Sequence, residues 1–164
     1  MDTFVIVLCT AASYLVGSIP TGLVLARAFG RQDIRTSGSG NIGATNAARV
    51  LGKKFGALTF AGDVLKAIIP MVLGRWLVAP ALNPFAAGLA VGLFGFSAFV
   101  GHLYPVYLRF RGGKGIATGF GIFVYLEPGS AAVALAVFGL IVAASKYVSL
   151  GSIIAALLLR VILI

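Results

Sequence analysis

Hydrophobic residues run along this chain in long blocks, and polar residues interrupt them in two places. The first block is Thr3–Leu25. At 1.5 Å per residue, about 20 residues cross a hydrocarbon core of ~30 Å, so the block predicts a membrane span. Pro20, with Gly17, Ser18 and Gly22 around it, removes a backbone donor and predicts a bend in its later part. Arg27, Arg31 and Arg35 follow at a spacing of four and mark the cytoplasmic edge. The first polar run is Arg35–Lys54, RTSGSGNIGATNAARVLGKK. Phe55–Leu73 predicts a second span, and it carries Asp63 and Lys66 on one helix face. Such a pair must turn from lipid toward protein or water. Arg75 and Trp76 suit the opposite interface, and Pro80 and Pro84 belong to an outer loop. Phe85–Leu103 returns to the second polar segment, His102–Gly115, HLYPVYLRFRGGKG. Ile116–Leu126 has 11 residues, too few to cross unless GGKG dips into the protein. Glu127–Gly129 predicts a turn, Ser130–Ala144 a return, Lys146 an inner edge, and Tyr147–Ile164 a further span.

Six apolar segments in alternating orientation predict an all-α, polytopic integral membrane helical bundle, one domain over residues 1–164. The ending VILI, Val161–Ile164, has no polar residue after it and reads as a truncated chain.

Composition supports that class. Apolar residues make up 60% of the 164, and charged residues 10%, against about 25% charged in a soluble domain. The 22 glycines suit close helix packing in lipid. Net charge is +9, from 13 basic and 4 acidic residues. The basic residues sit in short loops between spans. That is the positive-inside pattern, and it argues against nucleic acid as a partner. The first block is followed rather than preceded by basic residues, which fits a span with its N-terminus outside better than a cleaved signal. Cys9 is the single cysteine, so no disulfide framework or cysteine metal site is expected. One histidine and scattered carboxylates predict no catalytic metal.

Candidate chemistry lies in the polar runs. In Ser37–Asn46, SGSGNIGATN, glycines allow close backbone approach. Successive N–H groups there can form an anion nest. Ser39, Asn41, Thr45 and Asn46 add neutral donors, and Arg49 a fork-shaped cation suited to phosphate. The plainer reading is a solvated loop with a helix cap. Arg111–Gly115, RGGKG, lacks the leading glycine and the hydroxyl of a nucleotide-binding loop, which disfavours ATP chemistry. It can still present Lys114 and backbone donors to an oxyanion, or serve only as a basic inner loop. His102 is a candidate general base or a support for the loop beside it. Ser149, in KYVSLGS, is a helix cap or a third contribution to the same cleft.

Four blocks together carry a resemblance: GSIPTG (Gly17–Gly22), GSGNIGATNAAR (Gly38–Arg49), GHLYPVYLRFRGGKGIAT (Gly101–Thr118) and KYVSLGSI (Lys146–Ile153). In order and spacing, over nearly the whole chain, the sequence resembles the bacterial acyl-phosphate-dependent glycerol-3-phosphate acyltransferases, small integral membrane enzymes of phospholipid synthesis. The resemblance implies transfer of a fatty acyl group from acyl phosphate to the 1-hydroxyl of sn-glycerol 3-phosphate. The products are lysophosphatidic acid and inorganic phosphate. It implies a seven-span fold in the bacterial inner membrane with active-site loops facing the cytoplasm, and membrane lipid as surroundings. No cofactor is expected. By position, Ser39, Thr45 and Arg49 would hold a substrate phosphate, with Asn41 and Asn46 shaping that motif. Lys114, with the Gly112–Gly113 backbone, would neutralise a second phosphoryl group. Ser149 would contact the glycerol phosphate, and His102 would support the second motif. The family's seventh span and last polar motif have no counterpart before Ile164, and Ala67 stands where the family usually has glycine.

Acyl phosphate is an activated carbonyl with a good leaving group, so the protein need mainly bring two anions together and stabilise developing charge. No carboxylate is placed as a base in either loop, which points to a substrate phosphate as proton acceptor. The alternative is a transporter or channel for a phosphorylated anion, which also uses broken helices and buried ionisable groups. That reading needs polar segments meeting at the midplane, whereas these cluster toward one face.

Overall fold

A computed structural model describes residues 3–163; Met1, Asp2 and Ile164 lie outside them. Eight α-helices are present among the described residues: α1 (Thr3–Gly17), α2 (Thr21–Ala28), α3 (Ala44–Leu51), α4 (Lys53–Leu77), α5 (Pro84–Leu103), α6 (Ile116–Leu126), α7 (Pro128–Ser145) and α8 (Val148–Ile162). The fold is all-α. Helices α4, α5 and α7 are each long and apolar enough to cross a membrane, and α1 with α2 makes a fourth span if the bent pair is taken together. Helices α6 and α8 are shorter.

The first block is therefore not one helix. It breaks after Gly17, and α2 leaves at 52° to α1. The cause is local. Pro20 occupies the N-cap of α2 with φ −83° and ψ 81°, outside the helical region. Having no N–H, it cannot continue the hydrogen-bond ladder of α1. Its carbonyl instead accepts from Leu23 and Val24 at 2.9 and 3.0 Å and starts the new helix.

The chain divides into two compact units, Met1–Ile122 and Phe123–Ile164. In the first, α1 and α5 pack at contact distance. A side chain on Gly17 would collide with the backbone of Ala98, and one on Gly101 with the carbonyl of Tyr14. Small residues let helices approach where lipid offers no hydrophobic drive. Ser97 Oγ donates to the Thr10 carbonyl at 2.8 Å across this interface. Helix α4 packs on the other flank of α5, where Phe94 covers Gly74 and Met71 covers Gly95. Leu58, Leu65, Ile69 and Leu73 of α4 and Leu89, Leu93 and Phe96 of α5 point outward. In a membrane protein that is the lipid-facing surface.

In the second unit, α7 and α8 form a hairpin. Lys146 turns it in the left-handed region, at φ 63°. Ser145 Oγ accepts from the Tyr147 N–H at 3.1 Å. Gly151 packs on Val142 and Phe138.

Candidate functional site

The first polar run is a folded structure rather than a slack connector. Leu23 of α2, Ile34, Ile42 and Ala47 of α3 form a small buried cluster, with Val50 and Leu51 against it. Asn46 holds the loop above this cluster. Its side chain is 1% exposed. Its amide Nδ2 donates to the carbonyls of Ile34, Asn41 and Ser37 at 2.7, 2.9 and 3.3 Å. Its Oδ1 accepts from the Ser39 N–H at 2.8 Å. Asn41 Oδ1 accepts from the Gly43 N–H at 2.9 Å and forms the turn into α3. Gly38, at φ +65°, lies directly against Asn46 Oδ1 and the Arg49 side chain, so no Cβ fits there. The N–H groups of Ser39, Gly40 and Gly43 are all engaged within the loop. The side chains of Ser39, Thr45 and Arg49 are exposed.

Asn46 thus shapes the motif from inside. Removing its side chain would orphan buried carbonyls, at about 1–3 kcal/mol. Asn46→Ala is expected to lower the thermal unfolding midpoint in detergent by several degrees, and an unchanged midpoint would show that the loop is held otherwise.

The second polar segment folds back on the end of α5. Pro105 starts the turn, and its carbonyl accepts from Leu108 and Phe110, both at 3.0 Å. Arg109 and Phe110 lie in the left-handed region, at φ 52° and 62°. That costs roughly 1–2 kcal/mol for each non-glycine residue. The reversal brings Gly112 against the carbonyls of His102 and Leu103, and Gly113 against His102 Nε2. The Gly113 N–H donates to the His102 carbonyl at 3.1 Å. That N–H is engaged within the segment. Lys114 follows, exposed, just before α6.

His102 is buried at 3% exposure, beneath this segment rather than in an open cleft. Its Nδ1 makes no hydrogen bond; it lies 3.7 Å from Asp63 Oδ1. Asp63 and Lys66, buried on α4, pair at 2.9 Å.

Leu108 joins the two segments. It packs against the Leu23, Ile34, Ile42 and Ala47 cluster under the first loop. Composition gave no sign of this, since Leu108 sits in a run marked mainly by its cations. The first unit therefore carries Ser39, Thr45, Arg49 and Lys114 on two loops that share one apolar base. Ser149 lies in the second unit. The cap position of α8 falls on Tyr147, and Ser149 is exposed in the first helical turn.

Charge at these loops is largely uncompensated. Asp33 is held by Arg35, with Nη2 to Oδ2 at 2.6 Å and Nε to both oxygens at 3.1 Å. These hydrogen bonds hold the Asp33 carboxyl below the usual carboxylate range. Among the described residues, Arg49, Lys53, Lys54, Arg109, Arg111 and Lys114 have no acidic partner. No group of three or more potential metal ligands occurs among them either. An exposed set of cations and hydroxyls on glycine-shaped loops can hold phosphoryl groups. It offers no carboxylate as a base.

Comparison with known proteins gives a consistent result. A family model described as glycerol-3-phosphate acyltransferase matches residues 7–164. A glycerol-3-phosphate acyltransferase of Syntrophotalea carbinolica is 53% identical over 156 residues, covering 95% of this chain and 76% of that protein. One from Geobacter sulfurreducens is 54% identical over 147 residues, covering 90% and 72%. The crystal structure of PlsY, an integral membrane glycerol 3-phosphate acyltransferase, in its glycerol 3-phosphate form superposes with a TM-score of 0.84 at 37% identity, covering 96% of this chain and 76% of that one. Its lysophosphatidic acid form gives 0.83 at 35% identity, covering 96% and 75%.

Proposed function

The chain belongs to the glycerol-3-phosphate acyltransferase family, and from that premise we propose how its two polar segments carry out the transfer. The enzyme moves a fatty acyl group from acyl phosphate to the 1-hydroxyl of sn-glycerol 3-phosphate. The hydroxyl oxygen bonds to the acyl carbonyl carbon, and the bond from that carbon to the phosphate oxygen breaks. Lysophosphatidic acid and inorganic phosphate leave. Ser39, Thr45 and Arg49 hold one substrate phosphate, and Lys114 offsets the charge of the other. Both substrates are anions, so bringing them together is itself a large part of the barrier. Exposed cations without acidic partners lower that cost.

Among the described residues neither polar segment carries a carboxylate, Asp33 beside the first is paired with Arg35, and His102 is buried under the loop. A substrate phosphate therefore accepts the hydroxyl proton. Asn41, Asn46, Gly112 and Gly113 act by shaping the two loops. The assignment of Ser149 to the glycerol phosphate rests on its sequence motif alone.

The N-terminus lies outside and both polar segments face the cytoplasm. The positive-inside bias of Arg27, Arg31, Lys53, Lys54, Arg109 and Arg111 supports this orientation. Helices α6 and α8 are crossings as well, giving six segments of the family's seven.

The observation that carries the reading is the packing of Leu108 into the apolar base of the first loop. It gives two separate anion-binding segments a common footing. The test is phosphate release from palmitoyl phosphate by the full-length protein, with and without glycerol 3-phosphate. Release that depends on glycerol 3-phosphate is expected, and none in its presence would overturn the reading. Family membership displaces the transporter alternative.

A further inference from the structure

We propose that the buried pair Asp63 and Lys66 is a clamp that positions the Gly112–Lys114 segment from below. The pair lies in the middle of α4 and touches three other parts of the first unit. Asp63 Oδ1 accepts from Thr21 Oγ1 at 3.0 Å, at the start of α2. Lys66 Nζ donates to the carbonyl of Ile19 at 3.0 Å, inside the break between α1 and α2. Asp63 Oδ1 also faces His102 Nδ1 at 3.7 Å, one residue before the end of α5. Side-chain exposure of Asp63 and Lys66 is 3% and 5%.

Packing alone does not account for ions here. A buried ion pair gives up so much hydration that well-packed apolar residues of similar volume are often as stabilising or more so. What these ions supply is polar satisfaction of a defined shape. The Leu23 N–H, four residues on from Ile19, donates to the Pro20 carbonyl, which leaves the Ile19 carbonyl without a helical partner, and Lys66 occupies it. Asp63 then neutralises Lys66, ties Thr21 to α4 and sets a charge beside His102.

His102 relays this arrangement to the loop. Its ring lies between Asp63, on the Nδ1 side, and Gly113, on the Nε2 side. Its carbonyl accepts the Gly113 N–H. The Nδ1 has no hydrogen-bond partner of its own, so Asp63 is the charged group that fixes which way the ring faces. Displacing that ring removes the floor under Gly113 and, one residue on, moves Lys114. Asp63 and Lys66 touch no group assigned to substrate, so they are positioning residues. Their relevance to transfer rests on the role proposed above for Lys114.

Limited trypsin digestion of the full-length protein in lipid nanodiscs tests the clamp. Arg109, Arg111 and Lys114 report on the second loop, and Lys53 and Lys54 on the first; all five are exposed. In Asp63→Asn, cleavage at the second loop is expected to rise about tenfold or more while cleavage at Lys53 and Lys54 stays within about twofold, because cleavage of a transiently opened segment follows its opening equilibrium. Asp63→Asn leaves Lys66 buried without a counter-charge and risks misfolding. The paired variant D63L/K66M, which buries no charge, should fold and show the same selective loosening. Asp63→Glu, which keeps the charge, should restore slow cleavage.

A uniform rise at all sites, or none in the paired variant, would overturn the clamp. Turnover on palmitoyl phosphate separates the two claims. Selective loosening with a tenfold lower kcat and a nearly unchanged KM for glycerol 3-phosphate supports both. Selective loosening with unchanged kcat upholds the clamp and overturns the assignment of Lys114 to the reaction.

Discussion

Replacing Lys114 with alanine is expected to lower kcat/KM for acyl transfer by about 10²–10³-fold, the range for removing one preorganised group that stabilises developing charge. Arg49→Ala should fall in the same range. Both side chains are exposed, and neither contributes an ion pair among the described residues. The thermal unfolding midpoint should therefore hold while activity falls. Arg49→Lys keeps the charge but loses the fork that can bind two phosphate oxygens at once, so it should recover only part of the loss. His102→Ala should cost less than either alanine variant, because the imidazole is buried against Gly113 beneath the loop. Steady-state phosphate release in full-length protein ranks the four. If His102→Ala proved the most damaging, the substrate-assisted mechanism would give way to one with histidine as the base.

Gly113→Ala carries the second large effect. A Cβ there would overlap the buried His102 ring. The ring cannot swing into open space, so the loop must rise instead. A misplacement of ~1 Å can cost on the order of 10²-fold in rate. Gly112→Ala should be at least as harmful, since its Cβ would meet the carbonyls of His102 and Leu103, which are backbone and cannot rotate away. Adding His102→Ala to Gly113→Ala makes room for the methyl group and should return part of the lost activity. Activity that falls further in the double variant would show that crowding is not the cause.

Much of the fold was legible in the sequence because lipid imposes a simple rule on it. Long apolar runs between charged edges had to be helices, and Ile116–Leu126 has the bounds read from the residues. The break at Pro20 was visible as a bend, but its size was not. At the 52° turn Lys66 holds the Ile19 carbonyl and Asp63 holds Thr21, both from another helix, and local sequence is silent on partners so distant. The candidate site was legible as a set of residue types. Which of them face outward was not. Asn46 and Ser39 are both small polar residues of one motif, yet one is a buried brace and the other is exposed. The difference arises from the turn at Gly38 and from the cluster below it. His102 looked like chemistry because it is the single histidine. Its burial follows from the reversal at Arg109 and Phe110, where two non-glycine residues adopt a backbone that their types do not advertise.

The wedge of Leu23, Ile34, Ile42, Ala47 and Leu108 under both loops has a practical corollary. On the reading proposed above, the spacing of the two phosphoryl sites follows the volume of a few aliphatic side chains. A library confined to these five positions would alter how far apart two anions are held while leaving every cation in place. Adapting the enzyme to bulkier donors therefore begins with these aliphatic residues under the loops.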